Sequence, residues 1–185
     1  IDSGRIGELF FVESEYAHNY DIIEDIDGWR RDPVNLRYPI VGGGCHAMDL
    51  LRWIAGDPTE VFAYGNKKML LTCPTDDCVI AVMKFPNEVL GKMFTSIGCK
   101  RRYTMRTCIY GTKGTIICDN TSPTMTLFTV DEEGVTKEPE TIAVEVNNHN
   151  AAREFEVFAD AILNNKPVAT DAREGAKTVA VCLAI

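Results

Sequence analysis

Gly42-Gly43-Gly44-Cys45-His46-Ala47-Met48-Asp49-Leu50-Leu51-Arg52-Trp53 is the stretch from which the rest of the chain is read. The glycine run delivers the chain into an amphipathic helix, predicted from about Cys45 to Ala55 and stopped by Gly56-Asp57-Pro58. His46 and Asp49 stand three residues apart and so share a helix face. In the first turn, the positive end of the helix dipole disfavours a protonated imidazole, and a neutral imidazole accepts protons near neutral pH. His46 is therefore a candidate general base. The competing reading is a surface histidine with Asp49 as a dipole partner. The three glycines do not match Gly-x-Gly-x-x-Gly after a strand, so they carry no dinucleotide signature by themselves.

Outward from this helix, 10 residues of strand pattern cover 7–16, followed by a long polar and aromatic connection over 17–44. Connections of that length in compact domains are often functional. A strand-rich block follows, predicted at 60–64, 78–85, 89–96, 103–110, 115–118, 125–130 and 141–146. Pro86-Asn87 and Gly111-Thr112-Lys113-Gly114 are turn signals, and strands joined so closely are expected to pair antiparallel. A helix over 150–163 places Phe155, Phe158, Ala159 and Ile162 on one stripe, and Thr170 or Asp171 caps the last helix. Strands between helices at the two ends predict an α+β fold: one large, mostly antiparallel open sheet with helices on one face, in a single domain over 1–185.

The other sheet face then needs a cover, and a partner subunit supplies one if that face is apolar. Tyr64, Met83, Met93, Phe94, Tyr103, Met105 and Phe128 belong either to that face or to the helix-facing core; the register stays open at this point.

The 185 residues suffice for a sizeable core, and a hydrophobic content of 45% is ordinary for a soluble domain. A net charge of -8 argues against nucleic acid and anionic membranes as partners. The seven cysteines are odd in number and mostly set in apolar runs, which reads as reduced, buried thiols in a cytoplasmic protein. Cys73 and Cys78 flank Pro-Thr-Asp-Asp without a second ligand pair nearby, so no metal site is expected. The start at Ile1 and the end inside an apolar helical pattern read as a piece cut from a longer protein.

Gly4-Arg5-Ile6-Gly7-Glu8-Leu9 and the segment 42–56 resemble the C-terminal half of the glucose-fructose oxidoreductase / inositol dehydrogenase / MocA family. Tyr110-Gly111-Thr112-Lys113-Gly114-Thr115-Ile116 resembles its sheet turn, and the 155–168 segment its late helix and exit. The resemblance implies an N-terminal Rossmann domain, absent from this chain, that binds NAD or NADP. It implies oxidation or reduction of a carbinol in a sugar, inositol or related polyol, and homo-oligomers built on the open sheet. It makes His46 the acid/base and leaves Asp49 to orient the helix or a substrate hydroxyl. The isolated chain is then expected to be inactive and to bind no cofactor.

Many members carry an aspartate four residues before the histidine; Gly42 stands there, with Asp21 and Asp32 as the nearby acids. In the connection, Trp29 or Tyr38 is suited to stack on a sugar, and Arg30 or Arg31 to bind hydroxyls or a carboxylate. The alternative for these residues is a solvated arginine pair and a loop anchor. His149 faces the same cleft or caps the following helix. Gly42 also keeps a second function open, a non-catalytic sugar-binding or regulatory protein on the same scaffold. A third is a glycoside-cleaving variant that cycles bound NAD.

Overall fold

The computed structural model describes residues 1–20, 34, 39–71, 73–146, 151–168 and 170–185. Among the described residues eight strands are formed: β1 (Leu9–Ala17), β2 (Glu60–Asn66), β3 (Cys78–Lys84), β4 (Leu90–Ser96), β5 (Thr104–Gly111), β6 (Gly114–Asp119), β7 (Thr124–Thr129) and β8 (Glu140–Ala143). The helices are α1 (Cys45–Ala55), α2 (Ala151–Leu163) and α3 (Ala172–Ala184). The strands make one open sheet in the order β2-β3-β4-β1-β5-β6-β7-β8, an α+β arrangement as expected.

Short connections do give antiparallel neighbours, with one correction. β4 and β5 are consecutive but do not pair; β1 lies between them, antiparallel to β5 and parallel to β4, from Phe11↔Leu90 to Ala17↔Ser96. A parallel pair needs a long crossover, and the chain from β1 through α1, β2 and β3 supplies it. The first strand thus becomes a central one, and the helix that carries His46 is laid across it.

Two of the family-like motifs meet at the other end of β1. Gly111 pairs with Gly114 across the two-residue Thr112-Lys113 loop. The loop amides of Thr112 and Lys113 donate to the carbonyls of Glu8 and Ile6, each at 2.8 Å. Gly7 takes φ +73° in that wrap, a conformation that favours glycine, and a Cβ on Gly111 would overlap the Ile6 carbonyl.

Register settles the sheet faces. Val12, Ser14 and Tyr16 of β1 align with Gly91, Met93 and Thr95 of β4, and these with Met83, Ala81 and Val79 of β3. All nine are buried under α1 or its surroundings. Met83 and Met93 are therefore core, Met105 pairs with Tyr16 on the same side, and Tyr103 meets the Tyr16 ring there. Tyr64, Phe94 and Phe128 register with the opposite face. That face carries exposed Phe62, Tyr64, Ile80 and Val82 toward the β2 edge. Its centre holds Glu13 and Glu15, paired with Lys92, Arg101 and Arg106.

α1 buries Ala47, Met48, Leu51 and Arg52 toward the sheet and α3. Asp171, and not Thr170, caps α3, its carboxylate accepting from the amides of Arg173 and Glu174 at 2.9 and 3.0 Å. The α2 stripe forms but is not packed: Phe155 is 72% and Ile162 64% exposed, and Ala161 alone in the helix is buried. Amphipathic spacing specifies which face seeks a partner, not whether the sheet is that partner.

None of the seven cysteines forms a disulfide; Cys73, Cys108 and Cys182 are buried, whereas Cys45, Cys78, Cys99 and Cys118 are half-buried, so the buried reading holds only for the first three. Burial pushes the Cys182 thiol up to about 12. Among the described residues no group of three potential ligands is arranged for a metal ion, and no helix is long and apolar enough to cross a membrane.

Candidate functional site

The helical path does not begin at His46's own turn. A π-helical turn, Ile40–Gly44, runs straight into it, and Gly44 is already helical at φ -57° and ψ -25°. His46 is consequently not at a free helix end, and the helix-end field expected from the sequence is moved back toward Pro39. The glycines are needed for packing and do not form a loop. A Cβ on Gly43 would enter the Tyr16 ring, and one on Gly44 would enter the Thr95 side chain. Side chains are excluded at both positions because the turn rests directly on β1 and β4.

Gly43→Ala is expected to destabilise the domain by about 1–2 kcal/mol, overpacking being offset in part by alanine's better helix propensity. A thermal melt at neutral pH checks this; an unchanged midpoint would mean that the ring yields freely.

His46 is exposed, and its imidazole lies over Tyr16, with ring centroids 6.3 Å apart and planes 30° apart. Tyr16 is 6% exposed. Its hydroxyl lies 3.3 Å from His18 Nδ1 and 3.3 Å from the Tyr20 hydroxyl. The Tyr103 ring closes the cluster, 5.3 Å from Tyr16 and 5.0 Å from His18. Burial, seconded by Tyr20, pushes the Tyr16 phenol far above its ordinary range, so it stays protonated. A sequence signal for this group exists: in Tyr16-Ala17-His18-Asn19-Tyr20 the aromatic residues alternate, which puts them on one side of an extended chain. Reading the strand as finished at residue 16 hides it.

Asp49 is on the expected helix line but turns to α3. Its Oδ1 accepts from the Thr178 hydroxyl at 2.5 Å and lies 3.7 Å from the Arg52 guanidinium. Arg52 is a buried cation that binds three elements together. Nε and a terminal nitrogen donate to Asp57 at 2.8 and 2.6 Å, and the rest of the fork reaches the Glu174 carbonyl, Glu174 carboxylate and Thr178 hydroxyl. Trp53 continues the outward line of His46 and Asp49 and is 84% exposed. Trp29, Arg31, Tyr38 and His149, with Asp21, Arg30 and Asp32, lie outside the described residues. A separate cavity of about 230 Å³ is lined by Ile40, Asp76, Val79 and Cys182 and does not include His46.

The arrangement presents one exposed imidazole, backed by an aromatic wall and fixed to a rigid helix. The glycine run is part of a helical turn, with Gly43 pressed against Tyr16 and Gly44 against Thr95.

The sequence matches the GFO/IDH/MocA C-terminal domain over residues 1–117. It is 26% identical over 155 residues to "Uncharacterized oxidoreductase YrbE" of Bacillus subtilis, covering 78% of this chain and 45% of that protein. It is 32% identical over 116 residues to "Myo-inositol 2-dehydrogenase" of Thermotoga maritima, covering 56% and 34% respectively. Among solved structures, "Levoglucosan dehydrogenase, complex with NADH and levoglucosan" superposes with TM-score 0.85 at 17% identity, over 100% of this chain and 57% of that one. "UDP-N-acetylglucosamine 3-dehydrogenase GnnA" of Acidithiobacillus ferrooxidans superposes with TM-score 0.72 at 21% identity, over 100% and 55%. The chain thus spans less than half the length of these curated relatives. With the domain matched over most of the chain and the sheet order in place, this protein belongs to the GFO/IDH/MocA C-terminal domain family.

Proposed function

We propose that this chain is the substrate-binding and oligomerisation domain of a longer NAD(P)-dependent oxidoreductase that acts on a CH–OH group of a sugar, inositol or related polyol, with His46 as acid/base. The observation that carries the reading is His46 itself, exposed on α1 and backed by Tyr16, in the segment that resembles the family motif. The relatives are titled dehydrogenases of inositol and sugars, and one of the superposed structures holds NADH and levoglucosan. Gly43 and Gly44 are packed in a helical turn, which supports the reading that NAD or NADP is bound by the remainder of a longer protein and that the isolated chain is inactive. The nicotinamide, when bound there, takes or gives the hydride.

On this chain, His46 accepts the hydroxyl proton as the carbinol becomes a carbonyl, and returns it in reduction. Asp49 is tied to Thr178 on α3 and, with its side chain 61% exposed, orients a substrate hydroxyl. Trp29, Arg31, Tyr38 and His149 are the further substrate residues of this reading, the aromatics suited by type to stacking on a sugar and Arg31 to binding hydroxyls. The protein works in the cytoplasm, with no nucleic acid or membrane partner.

The test is the full-length protein with NAD+ or NADP+ and a panel of inositols and sugars, followed by nicotinamide absorbance. Turnover with a polyol, absent in the 1–185 chain, is expected. Saturable polyol binding without turnover would replace this reading with the non-catalytic one, for which Gly42 in place of the family aspartate is the supporting feature.

The outer sheet face is the oligomer interface in this reading. Phe62, Tyr64, Ile80 and Val82 form an exposed apolar cluster too concentrated for a solvated surface. Ile80→Glu with Val82→Glu is expected to shift the sedimentation coefficient to that of a smaller species while the melting point of the subunit stays close to native. An unchanged coefficient would place the interface elsewhere.

A further inference from the structure

The geometry points to Tyr16 as the positioning residue for His46, supplying by ring contact what no side chain at position 42 supplies. This rests on His46 being the base, as proposed above.

Three observations carry it. First, the ring is over-determined. It stands at the end of a central strand, in register with Thr95 on one side and Met105 on the other. Its edge meets Gly43 where no Cβ fits, Tyr103 tilts against it at 58°, and His18 and Tyr20 hold its hydroxyl. Second, the ring is what the described residues place beside the His46 imidazole, in a stacked geometry. Third, the helix start is built around it. The π turn and the side-chain-free Gly43 allow α1 to come down onto the ring, and π turns often occur at functional positions.

An exposed histidine on a helix samples several rotamers, and a fixed aromatic plane beside it reduces them. The same plane turns its negative π face toward the imidazolium that forms when His46 takes a proton. The Tyr16 hydroxyl is engaged by His18 and Tyr20, so the ring is what Tyr16 offers to His46.

The experiment uses the full-length protein with NAD+ and, as probe substrates, myo-inositol and levoglucosan. Tyr16→Phe keeps the ring and is expected to hold kcat within about two-fold. Tyr16→Leu removes the plane and is expected to lower kcat by about 10- to 100-fold, the scale of a misplaced catalytic group, with KM nearly unchanged. A purely structural role would move the melting point without separating kcat from KM and without rescue by Phe.

A measurement on the unsubstituted protein stands beside the variants. With histidine labelled at 13Cε1, the His46 proton resonance is expected upfield, shifted by the ring current, and to show a nuclear Overhauser contact to the Tyr16 ring. Absence of that contact overturns the proposal, as does Tyr16→Leu with native kcat, or Phe as damaging as Leu. If His46→Ala itself leaves turnover intact, the acid/base reading fails. If His46→Ala abolishes turnover and Tyr16→Leu does not change it, only the positioning role fails.

Discussion

Replacing His46 by alanine in the full-length protein is expected to lower kcat by about 10²–10⁴-fold, the usual contribution of a positioned general acid/base. Substrate affinity should fall by no more than a few-fold. The side chain is exposed and packs on Tyr16 alone among the described rings, so its removal leaves no buried cavity and the melting point should stay within about 1 °C, as for surface substitutions. Stopped-flow nicotinamide absorbance separates the chemical step from release, and calorimetric titration of the polyol reports binding. A variant that turns over like the parent would remove His46 from the chemistry. A variant that loses polyol binding entirely would make it a substrate ligand instead.

Arg52→Met is the second large effect, and it acts on stability. The guanidinium has a side-chain exposure of 5% and joins α1 to the Gly56-Asp57 turn and to α3. Methionine preserves most of the packing volume but none of the hydrogen bonds, so a loss of about 2–4 kcal/mol is expected from charge-assisted bonds that do not sum in full. The pH dependence follows. The Arg52 fork holds the Asp57 carboxyl below its ordinary value, and Lys177 followed by Arg52 does so for Glu174. A carboxyl depressed in the native state contributes stability above its unfolded value, which is lost as pH falls through the native one. With unfolded values near 4, the contribution is complete above about pH 5 and is lost progressively below that, disappearing only once pH has fallen through the depressed native values. Chemical denaturation at pH 7 and pH 3 checks both points: the native protein should lose more stability between them than Arg52→Met does. Parallel acid limbs would mean that the two carboxylates owe their shift to other groups.

The site divides between what spacing reveals and what it does not. His46 and Asp49 are placed on one helix line by a three-residue separation, and the structure keeps that relation. The partner of Asp49, Thr178, is 129 residues away, and no local pattern announces it. Arg52 reads in sequence as one more charge on an amphipathic helix, yet it is buried because Asp57 and Glu174 converge on it. The contact of Tyr16 with Gly43 joins a strand end to a helix start across the long connection. There the glycine run was legible as a special backbone but its cause was not.

The sequence by itself determined the α+β class, the helix over Cys45–Ala55 and the hairpin turns. Each of these rests on interactions within a few residues: helical and strand periodicity, capping, and turn chemistry. Only the tertiary structure decided that β1 enters between β4 and β5, which methionines face the helices, that the α2 stripe is left uncovered, and that the glycines receive Tyr16 and Thr95. Those outcomes depend on contacts between segments far apart in the chain, where burial of apolar surface and exclusion of overlapping atoms select one pairing from several that the local patterns permit equally.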